Sequence, residues 1–286
     1  MSKVMIVTDS TSNIPLPLLN GNPVKTLPLQ VIWGSKTYHD GVDMTPAEFY
    51  RHLPKDPIHP STSQVTPEEF RATYSQLIEE GYDVLSIHIS GKLSGTLDSA
   101  YQARKTMPGA QIVIVDSLST SMALGFQVMA AARMAETGAT LEECRVVAEK
   151  GRNHTGVFFT VSTLEYLRRG GRIGSASAFL GNVLDLKPVL EVRNGLVEPV
   201  ERVRTLNKAI DRIIDLVEQR VDQSTGPIRL AAIQAAAPEE GQALLDKALK
   251  RFSSQLVTDA VVAEVSPVLG THTGPGALGL AYMVGM

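Results

Sequence analysis

The side chains with the most chemical potential sit in short polar segments beside apolar runs. They are Thr62 and Ser63, the loop Ser90-Gly91-Lys92-Leu93-Ser94-Gly95-Thr96, and His272 in Thr271-His272-Thr273-Gly274-Pro275-Gly276. Two chemistries follow. One is anion binding. Ser94, Gly95 and Thr96 stand between an apolar run at 84–89 and a predicted helix towards Lys105, so free backbone N–H groups and two hydroxyls would meet a negative charge there. The other is acyl transfer, with Ser94 as nucleophile, His272 as base and Asp9 or Asp116 as orienting group. Each residue also has an ordinary role open to it, such as capping a helix, turning the chain or being a solvated loop histidine.

Other chemistries are disfavoured. The loop lacks the G-x-x-x-x-G-K-[ST] phosphate pattern, and its order Gly91, Lys92, Leu93, Ser94, Gly95 is not the G-x-S-x-G elbow. Histidines 39, 52, 59, 88 and 154 form no i, i+4 pair and have no cysteine partners, which argues against a metal site. No kinase glycine loop is present. Cys144, the single cysteine, sits between Leu141 and Val147 on a predicted helix and reads as a packing residue.

Positioning these groups requires a scaffold. The chain has 286 residues, 43% hydrophobic and 20% charged, enough for one large or two ordinary domains. A net charge of −3 gives no footprint for nucleic acid. No signal peptide or membrane-length apolar stretch is read, and one cysteine suits a reducing compartment, so a cytoplasmic protein without stable membrane insertion is expected.

The first half alternates strands (4–7, 29–33, 84–89, 111–115) with helices. Thr45-Pro46-Ala47-Glu48 and Thr66-Pro67-Glu68-Glu69 both spell an N-cap, a proline at the first helical position and a capping glutamate; Thr140 and Glu143 cap a further helix. Residues 121–136, rich in Ala and Met, predict a helix that packs through Met122, Met129 and Met134. In the second half Asn194-Gly195 divides two apolar runs and predicts a hairpin. Strands at 157–161, 228–233, 260–265 and 276–284 and helices at 206–221 and 239–251 complete the pattern. The expected fold is α/β in two domains. Residues 1–155 form a three-layer α/β/α unit with a mainly parallel sheet, and residues 156–286 form an α/β unit with a mixed sheet. Loops 8–12, 61–64, 90–96 and 271–276 are expected to converge on one crevice.

In order along the chain, these segments resemble the DegV family. The resemblance runs from Val7-Thr8-Asp9-Ser10-Thr11 through Thr62-Ser63-Gln64, Leu93-Ser94-Gly95-Thr96 and Asp116-Ser117. It continues through residues 164–173, Lys187-Pro188-Val189-Leu190, Asn194-Gly195 and Arg204, and ends at His272-Thr273-Gly274-Pro275-Gly276. It departs at Val65-Thr66, where many members have Pro-Ser, and at Lys92, where a small or uncharged residue is common. The resemblance implies a fold enclosing one long-chain fatty acid between its domains. Such members serve as the fatty-acid-binding subunit of bacterial fatty acid kinase, and a separate ATP-binding subunit phosphorylates the carboxylate for phospholipid synthesis. It also implies that Thr62 and Ser94 bind the carboxylate with His272 close by, and that Arg172 and Arg204 face the kinase. No cofactor is implied beyond the fatty acid itself. An acyl hydrolase or acyltransferase using Ser94 and His272, or a lipid-sensing regulatory module, remains the alternative.

Overall fold

The computed structural model describes residues 3–179, 186–222, 226–252 and 254–286. The chain opens with β1 (Lys3–Asp9), a 3-10 turn, α1 (Leu16–Leu19) and β2 (Val24–Leu27). Next come β3 (Gln30–Trp33), β4 (Lys36–His39), α2 (Pro46–His52), β5 (Ser61–Ser63) and α3 (Pro67–Glu79). Then follow β6 (Tyr82–His88), α4 (Thr96–Lys105), β7 (Ile112–Asp116), α5 (Ser121–Glu136) and α6 (Leu141–His154). All three capping boxes read from the sequence form: Thr45 with Glu48, Thr66 with Glu69 and Thr140 with Glu143.

Strands β2, β1, β6 and β7 pair in that order, all parallel. Helices α3 and α4 pack together against β6 and β7, and α5 and α6 form a second pair against β1, β6 and β7. This is the expected three-layer arrangement. The sequence pattern missed β2 and β4, whose short runs mix polar and apolar residues, and β5, which is wholly polar. Strands β4, β3 and β5 form a small antiparallel sheet, and it carries Thr62.

The second half contains β8 (Thr155–Thr160), α7 (Glu165–Arg169), β9 (Lys187–Arg193), β10 (Leu196–Val203) and α8 (Leu206–Val221). It ends with β11 (Ile228–Gln234), α9 (Pro238–Leu249), β12 (Val257–Glu264), α10 (Pro267–Thr273) and β13 (Leu278–Val284). Six strands pair in the order β10-β9-β8-β13-β11-β12. Only β11 and β12 run parallel, so the sheet is mixed as expected. Asn194 and Gly195 both adopt positive φ and close the β9–β10 hairpin. That hairpin docks on the first half: Ser90 Oγ donates to Gly195 O at 3.0 Å and Lys92 Nζ to Asn194 O at 2.9 Å. Lys92 thus has a partner in the second half. A side chain at 195 would collide with Ser90 Oγ.

Alternation along β8 gives the large sheet two different faces. Phe158 points into a core with α8 residues such as Ile213 and Val217. Val157 and Phe159 point the other way, towards the first half. Helix α5 lies between the two large sheets, packing on β1 and β6 and on β8, β11 and β13. It is accordingly apolar on nearly all sides, as a fully enclosed helix must be. Met122 and Met129 are buried there, as helix packing rather than cavity lining.

Because α5 packs on both large sheets, the two halves should unfold together. Leu124, fully buried at 0% exposure, should cost about 2–5 kcal/mol when changed to alanine. Denaturant unfolding followed by fluorescence and circular dichroism should show one shifted transition. Two separate transitions would contradict this coupling.

Candidate functional site

A cavity lies where the two large sheets face each other across α5 and α10. Its walls are apolar: Leu29 and Ile89 from the first half, and Val157, Phe159, Val192 and Ile233 from the large sheet. One part of its lining is polar, with Thr62, Ser63, Gln64, Ser94, Arg172 and His272. Its volume is about 120 Å³, a narrow slot.

Helix α10 is the element that brings His272 to Thr62. Asp40, 3% exposed, holds the start of that helix. Its Oδ1 accepts the Val268 N–H at 3.1 Å and its Oδ2 accepts the Ser10 hydroxyl at 2.6 Å. Burial raises the Asp40 pKa, and the two hydrogen bonds oppose that shift. Just before the helix, Tyr50 OH donates to Val265 O at 3.0 Å. His272 therefore belongs to the last turn of a helix and not to a loop, and Thr62 to a strand and not to a loop. The sequence reading expected loops at both places. Pro267 at the helix start and Gly274 at its end were the available signals.

His272 Nε2 and Thr62 Oγ1 are 2.9 Å apart. Burial, reinforced by Arg172 and His59, pushes the His272 pKa down to about 4. The ring is neutral at physiological pH. With its proton on Nε2 it donates to Thr62, which frees the threonine hydroxyl proton for a ligand oxygen. His272 Nδ1 is buried and has no partner among the described residues. It lies against Gly170, where any Cβ would collide with that nitrogen.

Ser94 lines the same polar region. Its Oγ lies 2.9 Å from Thr96 Oγ1 and accepts the Thr96 N–H at 3.3 Å. Thr96 is fully buried, and Gly95 sits against the Gln64 amide. These two residues shape the loop from behind without lining the cavity. Arg172 bridges the halves at the cavity: Nε donates to Leu93 O at 3.1 Å and an Nη to Gly170 O at 2.8 Å. Arg204 is exposed on the bend after β10 and does not line the cavity.

Of the four segments expected to converge, 61–64, 90–96 and 271–276 do so. Segment 8–12 contributes no lining residue; it holds Asp40 through Ser10. The lining residues Gln64, Thr120 and Ser121 escaped selection as site residues. The Thr120 hydroxyl is buried and without a partner among the described residues. The run Ser117-Leu118-Ser119-Thr120-Ser121 ahead of an apolar helix was the signal for the last two.

The arrangement does not assemble a serine hydrolase. His272 Nε2 is engaged by Thr62, and Ser94 by Thr96. Asp9 is fully buried on His88 Nδ1 at 2.9 Å, and Asp116 accepts the Leu118 N–H. His88 continues through Ser86 to Tyr74 OH, and this chain is sealed from solvent at every member. Cys144 is buried, with burial raising its thiol pKa. Among the described residues no group of three or more His, Cys, Asp or Glu side chains could hold a metal. No helix among the described residues is long and apolar enough to cross a membrane.

Residues 3–284 match the family model described as "Uncharacterised protein, DegV family". The chain belongs to the DegV family. A DegV domain-containing protein of Streptomyces coelicolor is 39% identical over 279 residues, covering 97% of each chain. Among solved structures, a DegV family protein of Thermus thermophilus described by its fatty acid binding superposes with a TM-score of 0.91. It shares 37% identity over 99% of both chains. DegV of Bacillus subtilis, described as a fatty acid binding protein, gives 0.88 at 32% identity over the full length of both. DegV homologues thus bind fatty acids.

The buried neutral histidine sets a pH dependence. Its proton affinity is lower folded than unfolded, so the unfolded chain binds more protons below about pH 6.5. Stability from this group should be constant above that value and decline as pH falls towards 4. A His272→Asn variant should show a shallower acid slope in thermal melts from pH 7 to 4. Equal slopes would remove His272 from this account. Gly170→Ala should displace the ring and break its hydrogen bond with Thr62.

Proposed function

We propose that this DegV protein binds one long-chain fatty acid in the cavity between its two halves, residues 1–155 and 156–286. The carboxylate lies against Thr62 and Ser94, with His272 behind Thr62. The observation that carries this reading is one cavity that joins apolar walls to a polar region of hydroxyl, amide, imidazole and guanidinium groups. A carboxylate leaving water needs several donors, or it takes up a proton instead. An acyl tail gains about 0.8 kcal/mol per buried CH₂. The tail therefore supplies affinity and the polar region supplies orientation. At about 120 Å³, below the roughly 300–1,000 Å³ of typical small-molecule sites, the slot must widen as a long chain parts its walls.

In this reading the protein is a carrier rather than a catalyst. It presents the carboxylate to a separate ATP-binding fatty acid kinase subunit, which forms the acyl phosphate used in phospholipid synthesis. Arg172 at the polar region and Arg204 on the exposed bend face that partner, and their positive charge suits a ligand that gains negative charge on phosphorylation. One buried cysteine suits a cytoplasmic setting.

Ser94→Ala and Thr62→Val should each weaken oleate binding by about 1–3 kcal/mol, the cost of removing a donor from a charged group. Isothermal titration would measure this. Unchanged affinity in both variants would refute the carboxylate assignment. Arg204→Ala should keep oleate affinity and slow phosphorylation by the kinase subunit. An unchanged rate would place the docking surface elsewhere.

A further inference from the structure

The large sheet is split at one place. β13 follows β8 along its whole length, from Thr155 to Thr160. β9 follows β8 for three residue pairs only, Phe158–Glu191 to Thr160–Val189. Beyond them the strands separate, and a polar cleft of about 440 Å³ opens between them, roofed by α6 and α8. It is distinct from the acyl cavity, and Val157 and Val192 line both.

Its floor is the Tyr282 side chain, 8% exposed. The ring stacks on Phe158, with centroids 6.4 Å apart and planes at 14°. The Tyr282 hydroxyl has no hydrogen-bond partner among the described residues, although it lines the cleft. Nothing in the proposed acyl-carrier role uses it.

Three guanidinium groups line the same cleft. Arg152 spends Nε on Asp116 O at 2.6 Å, and its terminal nitrogens make no hydrogen bond among the described residues. Arg193 and Arg220 flank the buried Glu191 at 3.2 and 3.8 Å, and both remain about half exposed at the rim. The carboxylates present are Glu191 and Glu149, and Glu149 is already held by Arg145. The cleft therefore keeps an excess of positive charge beside a tyrosine hydroxyl that faces it without a partner among the described residues. Planar guanidinium groups with several free N–H bonds match phosphate oxygens.

We propose that this cleft binds a small phosphate-bearing molecule, its oxygens taking the Tyr282 hydroxyl and the Arg152, Arg193 and Arg220 guanidinium groups. Arg193 and Arg220 then exchange part of their hold on Glu191 for the ligand.

The test is a titration of the full chain with inorganic phosphate and with ribose 5-phosphate at constant ionic strength. Amide chemical shifts report the site, with chloride as control. Saturable shifts confined to residues around 152, 193 and 282 are expected. Tyr282→Phe keeps the ring, and Arg193→Gln changes an exposed side chain, so both variants should fold. Each should weaken binding by about tenfold or more, the effect of losing a donor to a charged group. Phosphate binding without ribose 5-phosphate binding would overturn the small-molecule assignment. So would the absence of saturable shifts with either compound, or binding that persists unchanged in both variants. Oleate affinity of the two variants, measured alongside, separates this site from the acyl cavity.

Discussion

The hydrogen bond between Thr62 and His272 joins residues 210 positions apart, and much of the molecule serves to place its two ends. Thr62 comes from the third strand of a small sheet, and His272 from the last turn of a seven-residue helix. Neither element would hold its place alone. Asp40 pins the start of that helix and reaches the turn after β1 through Ser10. Gly170 leaves room for the ring. Enclosure keeps the imidazole neutral, and a neutral imidazole can hold the threonine hydroxyl with its proton turned towards an anion.

The same enclosure shapes the apolar side. A β-strand presents alternate residues to opposite faces. The large sheet thus builds a packed core with α8 and α9 on one face and cavity wall on the other, from the same strands. Helix α5 separates the two large sheets and is itself buried among both. Docking of the β9–β10 hairpin on Ser90 and Lys92 closes the structure beside the serine loop. The separated edges of β8 and β9 put a second, charged cleft on the far side of Val157 and Val192, so two unlike environments share one thin wall.

Much of this was legible in the sequence wherever local physics decides. The capping boxes, the Asn194-Gly195 hairpin, the parallel first sheet and the mixed second sheet all follow from residue chemistry and period. Thr62, Ser94 and His272 were selected, and all three line one cavity. What escaped was set by distant contacts. β5 is three polar residues, and it is a strand because β3 lies beside it. His272 ends a helix whose first turn depends on Asp40, more than two hundred residues away. Gly95 and Thr96 were expected among the binding groups; α4 begins at Thr96, which is fully buried, and neither residue lines the cavity. The splitting of β8 from β9 has no sequence signature, since both runs read as ordinary apolar strands.

The most direct test of the central claim is native mass spectrometry of the purified protein, followed by solvent extraction of whatever it releases. The account predicts one equivalent of long-chain fatty acid per chain, lost or depleted when Thr62 and Ser94 are both replaced. Protein that carries no lipid and takes up none when oleate is added would contradict it.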